Sequence, residues 1–184
     1  MERQSARRAV FLDRDGVINR PVVRGGKPYP PAALEELELL PGVREVLVHL
    51  RQRGFRLCVV TNQPDVARGA QRRSVVEAMH AALLAALPLD GVYVCYHDDA
   101  DACNCRKPKP GLLLAAAAEQ QVSLPASYVI GDRWRDIDCG HAAGCTTIWI
   151  DWGYGEALRK PPHFRARDLA SASTIIFSAE EHTT

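Results

Sequence analysis

Two carboxylates stand two residues apart in the segment Asp13-Arg14-Asp15-Gly16, directly after the apolar run Ala9–Leu12. Carboxylates at this spacing can share a cation at a strand end, and Mg²⁺ favours one or two protein carboxylates together with phosphate oxygens and water. An aspartate beside such a cation can also attack phosphorus, which divides hydrolysis into two easier steps. Gly16 permits the tight turn that brings this loop close to a phosphate. A plain polar turn is the alternative, and four residues alone leave both interpretations open.

Two further segments supply groups that suit a phosphate. Thr61 offers a hydroxyl, and the region of Asn62 offers backbone amides for a phosphoryl oxygen. Arg106 and Lys107 offer cations, which offset the charge that develops on a transferring group in the transition state. Taken singly, Thr61 is equally compatible with a strand-end cap and Lys107 with a solvated charge.

A fourth segment brings more carboxylates. Asp132 offers a third carboxylate for the metal, and Asp136, four residues later, is placed to support the site from behind. Each of the four polar segments comes after an apolar run. Four such segments in order favour a phosphate-processing site over coincidence.

The elements that must position these residues are short buried strands alternating with helices. Continuous apolar runs, rather than alternating ones, indicate strands that are buried on both faces of a parallel sheet. The five runs are Ala9–Leu12, Phe55–Val60, Val92–Cys95, Tyr128–Ile130 and Thr147–Ile150. Helical spacing lies between them, so the sequence predicts a doubly wound α/β fold with a mostly parallel sheet. Ligands bind beyond the carboxyl ends of such strands, where the four polar segments lie.

Local signals mark the helix ends. Val43, Val46, Leu47 and Leu50 follow helical spacing, and Ser74–Glu77 has the form of a capping box. Pro110 suits the first turn of a later helix. The segment after Trp152 gives no clear pattern.

A cluster of sulfur and imidazole ligands precedes Arg106. Cys95, His97, Cys103 and Cys105 form an inventory that matches a closed tetrahedral zinc site. A redox pair or plain buried cysteines are the alternatives. A zinc ion here would make the loop rigid and fix the two cations that follow Cys105, without taking part in the chemistry.

Composition limits the other possibilities. The 184 residues are enough for one domain, predicted to span 1–184, and the formal net charge of +1 indicates neither a nucleic-acid nor a membrane partner. No apolar run approaches the ~20 residues of a membrane span, and the apolar stretch after the basic Met1–Arg8 is too short for a signal peptide. We therefore expect a cytoplasmic protein, and we expect a monomer.

Four strings together resemble the haloacid dehalogenase superfamily. They are Phe-Leu-Asp-Arg-Asp-Gly-Val-Ile-Asn at 11–19, Thr-Asn-Gln at 61–63, Cys-Arg-Lys-Pro-Lys-Pro-Gly at 105–111 and Gly-Asp-Arg-Trp-Arg-Asp-Ile at 131–137. Within the superfamily, the chain is most similar to the D-glycero-D-manno-heptose 1,7-bisphosphate 7-phosphatases and to related histidinol-phosphate phosphatases. The resemblance spans roughly Val10 to Ile150. In these families Thr-Asn-Gln often continues as Ser-Gly, whereas this chain has Pro64-Asp65, which changes the adjoining substrate loop.

The resemblance implies a role for each matching residue. Asp13 is the expected nucleophile and Asp15 the general acid and base, with Mg²⁺ held by Asp13, Asp132 and the backbone carbonyl of Asp15. Thr61 and Lys107 would stabilise the phosphoryl group. The expected substrate-binding residues are Arg14, Asn62, Arg106 and Arg133. The zinc loop of Cys95, His97, Cys103 and Cys105 also matches these phosphatases.

The expected substrate is a small phosphorylated sugar, a heptose 1,7-bisphosphate cleaved at its 7-phosphate. Histidinol phosphate, a nucleic-acid 3′-phosphate end and an inactive zinc-stabilised binding module are the alternatives. The chain between the motifs is too short for a cap domain, so we expect a capless enzyme. The basic, glycine-rich segment Arg20–Pro31 is either one wall of the pocket, able to reach a second phosphate through Arg24 and Lys27, or a surface loop.

Overall fold

The structure, a computed structural model, describes residues 7–181. Six strands of these residues form one sheet in which every neighbouring pair is parallel. In chain order they are β1 (Arg8–Leu12), β4 (Phe55–Asn62), β5 (Gly91–Cys95), β6 (Tyr128–Gly131), β7 (Thr146–Ile150) and β8 (Phe164–Ala166). A separate hairpin of β2 (Val22–Arg24) and β3 (Lys27–Tyr29) lies between β1 and β4.

The order of strands in the sheet is β5-β4-β1-β6-β7-β8, with β1 at the centre. The chain therefore winds outwards from β1 in one direction through β4 and β5, and then in the other direction from β6 to β8. This reversal is the topological switch point of a doubly wound sheet, and it lies beside the end of β1. The predicted fold class is confirmed.

Helices cover both faces of the sheet. They are α1 (Val43–Gln52), α2 (Arg73–Ala86), α3 (Gly111–Gln120), α4 (Trp134–Ala143) and α5 (Leu169–Glu181). Val10 and Leu12 point into a core shared with α1, α2 and α5, whereas Ala9 and Phe11 point into a second core shared with α3 and α4. Because both faces of β1 are buried, its sequence is apolar without alternation.

Two local predictions differ from the structure. The capping box at Ser74–Glu77 is wrong, because α2 begins at Arg73 after the extended Arg72, and no side-chain hydrogen bond caps it. The C-terminal segment also contains regular structure that its sequence did not reveal. β8 is only three residues long and is parallel to β7, and α5 packs on α1.

No cap domain interrupts the described part of the chain. The insertion between β1 and α1 is the small β2–β3 hairpin, and the insertion between β4 and α2 is the loop 63–72. Among the described residues, no helix is long and apolar enough to span a membrane. Residues 1–6 and 182–184, which include most of the predicted basic N-terminal segment, lie outside the described range.

Candidate active site

A cavity of about 310 Å³ opens at the carboxyl ends of β1, β4 and β6. All four polar segments identified in the sequence contribute to its wall. Its lining residues are Asp13, Asp15, Pro28, Tyr29, Pro30, Thr61, Asn62, Pro64, Asp65, Arg68, Asp99, Arg106, Lys107, Asp132, Arg133, Arg135 and Asp136.

Lys107 is the centre of the charged network at the floor of this cavity. Its ammonium donates hydrogen bonds to Asp13 Oδ1 (2.9 Å), to Asp136 Oδ1 and to the carbonyl oxygen of Val60 (2.7 Å). Burial by itself disfavours the ammonium, but the carboxylates of Asp13 and Asp136 outweigh it and raise the pKa of Lys107. The side chain therefore stays charged, fixed between two carboxylates.

Asp13 occupies the first position after β1. Its backbone N–H donates to the carbonyl oxygen of Ile130 in β6 (2.9 Å), which fixes the start of the loop. Burial and the negative charge of Asp136 raise the pKa of Asp13 to about 6, although Lys107 acts in the opposite direction. Without a further cation, the positive charge of Lys107 does not offset the combined effect of burial and of the neighbouring negative charges on Asp13.

Asp132 is the strongest sign that a cation belongs here. The residue is 3% exposed, and no described residue donates a hydrogen bond of normal geometry to either carboxylate oxygen, the Tyr154 hydroxyl being a nearby donor. Burial, followed by the charges of Asp13 and Asp136, raises the pKa of Asp132 well above its usual value. Oxygen atoms of Asp13, Asp132 and Asp136 lie within 4.8 Å of one another. A buried carboxylate without a partner is costly, and a bound metal ion removes that cost.

Gly16 permits the loop after β1 to approach Asp132 closely. It has a φ of +90°, and a Cβ atom at this position would lie 2.1 Å from Oδ2 of Asp132. Both observations require glycine, one for the backbone conformation and one for space. We expected Gly16 to let the loop approach a phosphate; in the structure it lets the loop approach Asp132, a candidate metal ligand.

Asp15 is held by three donors. Arg14 forms a two-pronged ion pair with it (2.9–3.2 Å), Asn19 Nδ2 donates to Oδ1 (3.0 Å), and Gln63 Nε2 donates to Oδ2 (2.9 Å). The same Gln63 amide donates to the hydroxyl of Thr61 (2.9 Å). Gln63 thus links the two expected catalytic residues at the ends of β1 and β4.

Arg14 differs from its predicted role in binding substrate. Its side chain is completely buried and is not among the residues that line the cavity. The guanidinium faces Asp15 on one side and residues of α2 on the other. Because it cannot reach a substrate from this position, it serves to orient Asp15 instead.

Asn62 lines the cavity, but its side chain is engaged by the backbone of Lys107. Its Nδ2 donates to the Lys107 carbonyl oxygen and its Oδ1 accepts from the Lys107 N–H, both at 3.1 Å. This reciprocal pair ties the end of β4 to the segment that carries Lys107. The side chain of Asn62 therefore has a structural role, in addition to any contact that its backbone makes with a substrate.

Two of the predicted arginines, Arg106 and Arg133, line the cavity and are already paired with acidic side chains. Arg106 Nε donates to Asp99 (2.8 Å), and Arg135 donates to the same carboxylate (3.2 and 3.3 Å). Arg133 forms a two-pronged pair with Glu156 (2.8 Å for both bonds). An incoming anion must therefore compete with, or rearrange, acidic side chains that sequence patterns did not single out.

The segment Arg20–Pro31, which contains the hairpin of β2 and β3, forms one wall of the cavity, and this was one of the two predictions for it. Its residues that line the cavity are Pro28, Tyr29 and Pro30. Arg24 and Lys27 instead flank the Gly25-Gly26 turn, are exposed, and are not lining residues. The hairpin thus contributes a stiff, partly aromatic surface rather than the cations expected from its sequence.

The four zinc-ligand candidates converge on one point. Cys105 Sγ lies 3.2 Å from Cys95 Sγ, 3.5 Å from Cys103 Sγ and 3.3 Å from His97 Nδ1, and all four cysteine and histidine ligand atoms lie within 4.8 Å of one another. A tetrahedron with Zn–S bonds of ~2.3 Å has edges of about 3.8 Å, so one ion fits this cluster with small adjustments. The N–H of Gln63 donates to the Cys95 carbonyl oxygen (2.8 Å), which connects the cluster to the catalytic loop.

Residues 20–144 match the family of haloacid dehalogenase-like hydrolases. This match covers more than half of the chain, and the sheet order and the aspartate cluster agree with it. The chain belongs to the haloacid dehalogenase-like hydrolase family, so the resemblance seen in the sequence is confirmed.

The chain is similar to several named phosphatases. A D-glycero-beta-D-manno-heptose-1,7-bisphosphate 7-phosphatase of Helicobacter pylori is 40% identical over 72% of this chain and 76% of its own length. A D-glycero-D-manno-heptose-1,7-bisphosphate 7-phosphatase of Thermosynechococcus vestitus is 34% identical over 90% of this chain and 93% of its own length. A crystal structure of the D,D-heptose 1,7-bisphosphate phosphatase of B. bronchiseptica, with magnesium and phosphate, superposes with a TM-score of 0.78 at 27% identity and covers 94% of this chain and 99% of that one.

Several residues at the site escaped the sequence analysis. Gln63 belongs to the Thr-Asn-Gln string, and its side-chain amide, which can donate two hydrogen bonds, is the feature of the sequence that could have indicated a link between neighbouring loops. Asp99 and Glu156 are acidic residues in loops with no local pattern, and only the fold brings them to the arginines. Tyr29 is likewise placed by the hairpin.

Proposed function

We propose that this protein is a magnesium-dependent phosphomonoester hydrolase that works through an aspartyl phosphate on Asp13. The observation that carries this proposal is the buried Asp132, whose two unpartnered oxygens lie beside Asp13. A metal there, a nucleophile beside it and a fixed lysine are the three elements that phosphoryl transfer requires. Membership of the hydrolase family supports the same reaction class.

The first step uses Asp13 and Asp15. Both recorded hydrogen bonds to the Asp13 carboxylate, from Lys107 Nζ and from the Arg14 N–H, go to Oδ1. Oδ2 is therefore the atom that attacks phosphorus. A bond forms between Oδ2 and phosphorus as the ester bond breaks, and the leaving oxygen takes a proton from Asp15. Lys107 and the Thr61 hydroxyl offset charge on the phosphoryl oxygens.

The second step returns the enzyme to its starting state. Asp15, now a carboxylate, removes a proton from a water molecule, which attacks phosphorus. The bond between phosphorus and Asp13 Oδ2 breaks, and inorganic phosphate and the Asp13 carboxylate are released. Arg14, Asn19 and Gln63 keep Asp15 oriented for both proton transfers.

The residues present fit Mg²⁺. Asp13 and Asp132 would hold it, together with the carbonyl oxygen of Asp15, and hard oxygen ligands of this kind match its preference. When bound, Mg²⁺ supplies positive charge that offsets the carboxylates and the phosphoryl oxygens. Both oxygens of Asp136 are already engaged, one by Lys107 and one by the Arg133 N–H (3.1 Å), so Asp136 supports the site from behind.

The fit between ligands and metal also supports a structural zinc ion bound by Cys95, His97, Cys103 and Cys105. The four ligand atoms form a closed set with no open position for a substrate. Arg106 and Lys107 follow directly in the chain, and the Gln63–Cys95 hydrogen bond lies on the other side. The ion would therefore stabilise the loop that positions the catalytic cation.

For the substrate, we propose a heptose 1,7-bisphosphate that loses its 7-phosphate, as the names of the similar proteins suggest. Four cationic side chains besides Lys107 line the cavity, more than one reacting phosphate needs. They are Arg68, Arg106, Arg133 and Arg135. All four are paired with acidic side chains in the structure, so a second phosphate on the sugar would take the place of one of these carboxylates. We further propose that the chain acts as a single cytoplasmic domain and as a monomer.

Phosphate release from a panel of substrates tests this proposal. The panel contains heptose 1,7-bisphosphate, heptose 1-phosphate, histidinol phosphate and a 3′-phosphorylated oligonucleotide, each with and without Mg²⁺. We expect turnover of the bisphosphate to exceed the others, and the product to retain its phosphate on C1. Preference for histidinol phosphate or for the oligonucleotide would contradict the substrate, and no turnover of any member would contradict the reaction class.

The rim arginines are tested separately. Arg135→Ala removes a cavity cation, whereas Arg24→Ala removes an exposed cation of the hairpin tip and is the matched control. We expect Arg135→Ala to lower kcat/KM for the bisphosphate more than for a monophosphate, and Arg24→Ala to affect neither. Equal losses for both substrates in Arg135→Ala would remove this arginine from recognition of the second phosphate.

A further inference from the structure

A histidine of α2 lies directly behind the Arg14–Asp15 pair. His80 is 6% exposed, and its Nε2 lies 3.3 Å from Nη1 of Arg14. Met79, the preceding residue of α2, also lies against the buried guanidinium, with its sulfur 3.8 Å from the same nitrogen.

The chemistry of the pair fixes the state of the histidine. A guanidinium can only donate, so Nε2 must accept, and the ring proton must be on Nδ1. Burial, followed by the positive charge of Arg14, lowers the pKa of His80 to about 4, so the ring is neutral at physiological pH. A neutral imidazole with this tautomer satisfies a guanidinium that has no access to water.

The guanidinium in turn fixes Asp15. Its Nε and Nη2 both donate to the Asp15 carboxylate, while Nη1 is turned towards His80. The planar geometry of arginine means that anchoring one nitrogen limits the rotation of the other two. Removing the acceptor behind Arg14 would leave a buried N–H without a partner and would loosen the carboxylate in front.

We propose that His80 is a positioning residue for catalysis, which holds Arg14 so that Arg14 holds the Asp15 carboxylate in place for proton transfer. The proposal rests on the proposed function, because it concerns the acid and base of that reaction. It concerns a residue outside the four sequence strings that identify the family.

The test compares two esters with different needs for a proton donor. An alkyl phosphate, such as a primary sugar phosphate, requires protonation of its leaving oxygen, whereas p-nitrophenyl phosphate releases a stable phenolate without it. The values of kcat/KM report the step in which the ester bond breaks. A defect in positioning the acid therefore reduces kcat/KM for the alkyl ester selectively.

Three variants make the comparison specific. His80→Leu removes the acceptor and puts an apolar side chain of similar size in its place, whereas His80→Gln keeps an acceptor. Leu83→Ala, in the same helix and 1% exposed, disturbs packing without contacting Arg14 and serves as the control. For His80→Leu we expect a loss of about tenfold with the alkyl ester, the size of one hydrogen bond, and about twofold with the aryl ester. His80→Gln should recover most of the alkyl-ester activity, and Leu83→Ala should affect both esters equally.

An equal loss with both esters in His80→Leu, or no recovery in His80→Gln, would overturn the positioning role. Histidine ring ¹⁵N NMR tests the contact independently of turnover, with the signal of His80 identified among the six histidines by its loss in His80→Gln. We expect the Nδ1–H tautomer, and an Nε2–H tautomer would overturn the contact. A wild-type protein that hydrolyses neither ester would contradict the proposed function, and the NMR result would still decide the His80–Arg14 contact.

Discussion

Lys107 and Asp13 are 94 positions apart in the chain, yet Lys107 Nζ lies 2.9 Å from Asp13 Oδ1 at the centre of the site. The contact forms because β1 ends at Leu12 and the segment after the cysteine cluster crosses the end of β4, where Asn62 holds the backbone of Lys107 on both sides. A charge-assisted bond at this place orients one oxygen of Asp13 and leaves the other for reaction.

Replacing the two aspartates that follow β1 should separate their roles. We expect Asp13→Asn to abolish turnover while the protein stays folded, because an amide is a poor nucleophile and a weaker metal ligand. Asp15→Asn should lose about a hundredfold to ten-thousandfold in kcat, the usual contribution of a general acid and base. Trapping the phosphorylated enzyme and mapping the phosphopeptide checks the nucleophile. Phosphate on another residue, or turnover by Asp13→Asn, would refute the assignment.

The buried Asp132 should destabilise the metal-free protein. Asp132→Asn removes a charge from a site where three carboxylates face one lysine, so we expect the melting temperature without metal to rise. Even 1 kcal/mol would shift it by about 2–4 °C. Added Mg²⁺ should raise the melting temperature of the wild type but not of the variant. Asp151→Asn, at an exposed position, is the control, and a variant that still responds to Mg²⁺ would contradict the proposed ligand.

Gly16 and Gly25 provide a matched pair of substitutions. Both have positive φ, but a Cβ atom at Gly16 would collide with Asp132, whereas nothing lies within 4 Å of one at Gly25. Gly25→Ala should therefore cost only the backbone strain of about 1–2 kcal/mol. Gly16→Ala should cost more and should also lower activity by more than tenfold, an order-of-magnitude expectation for a displaced metal ligand. Denaturant unfolding and kcat measurements check both, and equal effects would contradict the close approach to Asp132.

Metal analysis tests the cysteine cluster. We expect close to one tightly bound zinc ion per chain, and Cys103→Ser should reduce the zinc content. The variant should lose several kcal/mol of stability, and since each kcal/mol corresponds to about 2–4 °C, its melting temperature should fall by about 10 °C. Activity should fall as Lys107 loses its support. Asp101→Asn, in the same loop but outside the cluster, should change neither property. Protein that contains no zinc and tolerates Cys103→Ser would refute the structural metal.

His80 should also make stability depend on pH. Its pKa is lowered to about 4 in the folded protein, so the unfolded chain, with the ordinary value near 6.5, binds a proton first as pH falls. The stability that this group contributes is complete above pH 6.5 and is lost between about 6.5 and 4, by up to about 3 kcal/mol. Urea unfolding of wild type and His80→Gln at pH 7 and pH 4.5 checks this. The same decline in both proteins would show that His80 is not the group responsible.

The sequence by itself determined the strands and the chemistry at their ends. Apolar runs without alternation require burial on both faces, so the strands that end at or next to Asp13, Thr61 and Asp132 could be placed before any contact was known. The four cysteine and histidine residues of the candidate zinc site could likewise be grouped from the sequence, because they are close in the chain. Among the described residues, β2, β3 and β8 escaped, since three residues carry too little pattern and each of these strands depends on the element that it pairs with.

The tertiary structure alone decided which side chains face the cavity and which stand behind it. Arg14 and Asp15 are adjacent in the sequence, yet one is buried against His80 and the other reaches the cavity. Glu156 meets Arg133 because the loop after β7 returns across the end of the sheet. Such relationships depend on distances between elements far apart in the chain, and local spacing contains no record of them.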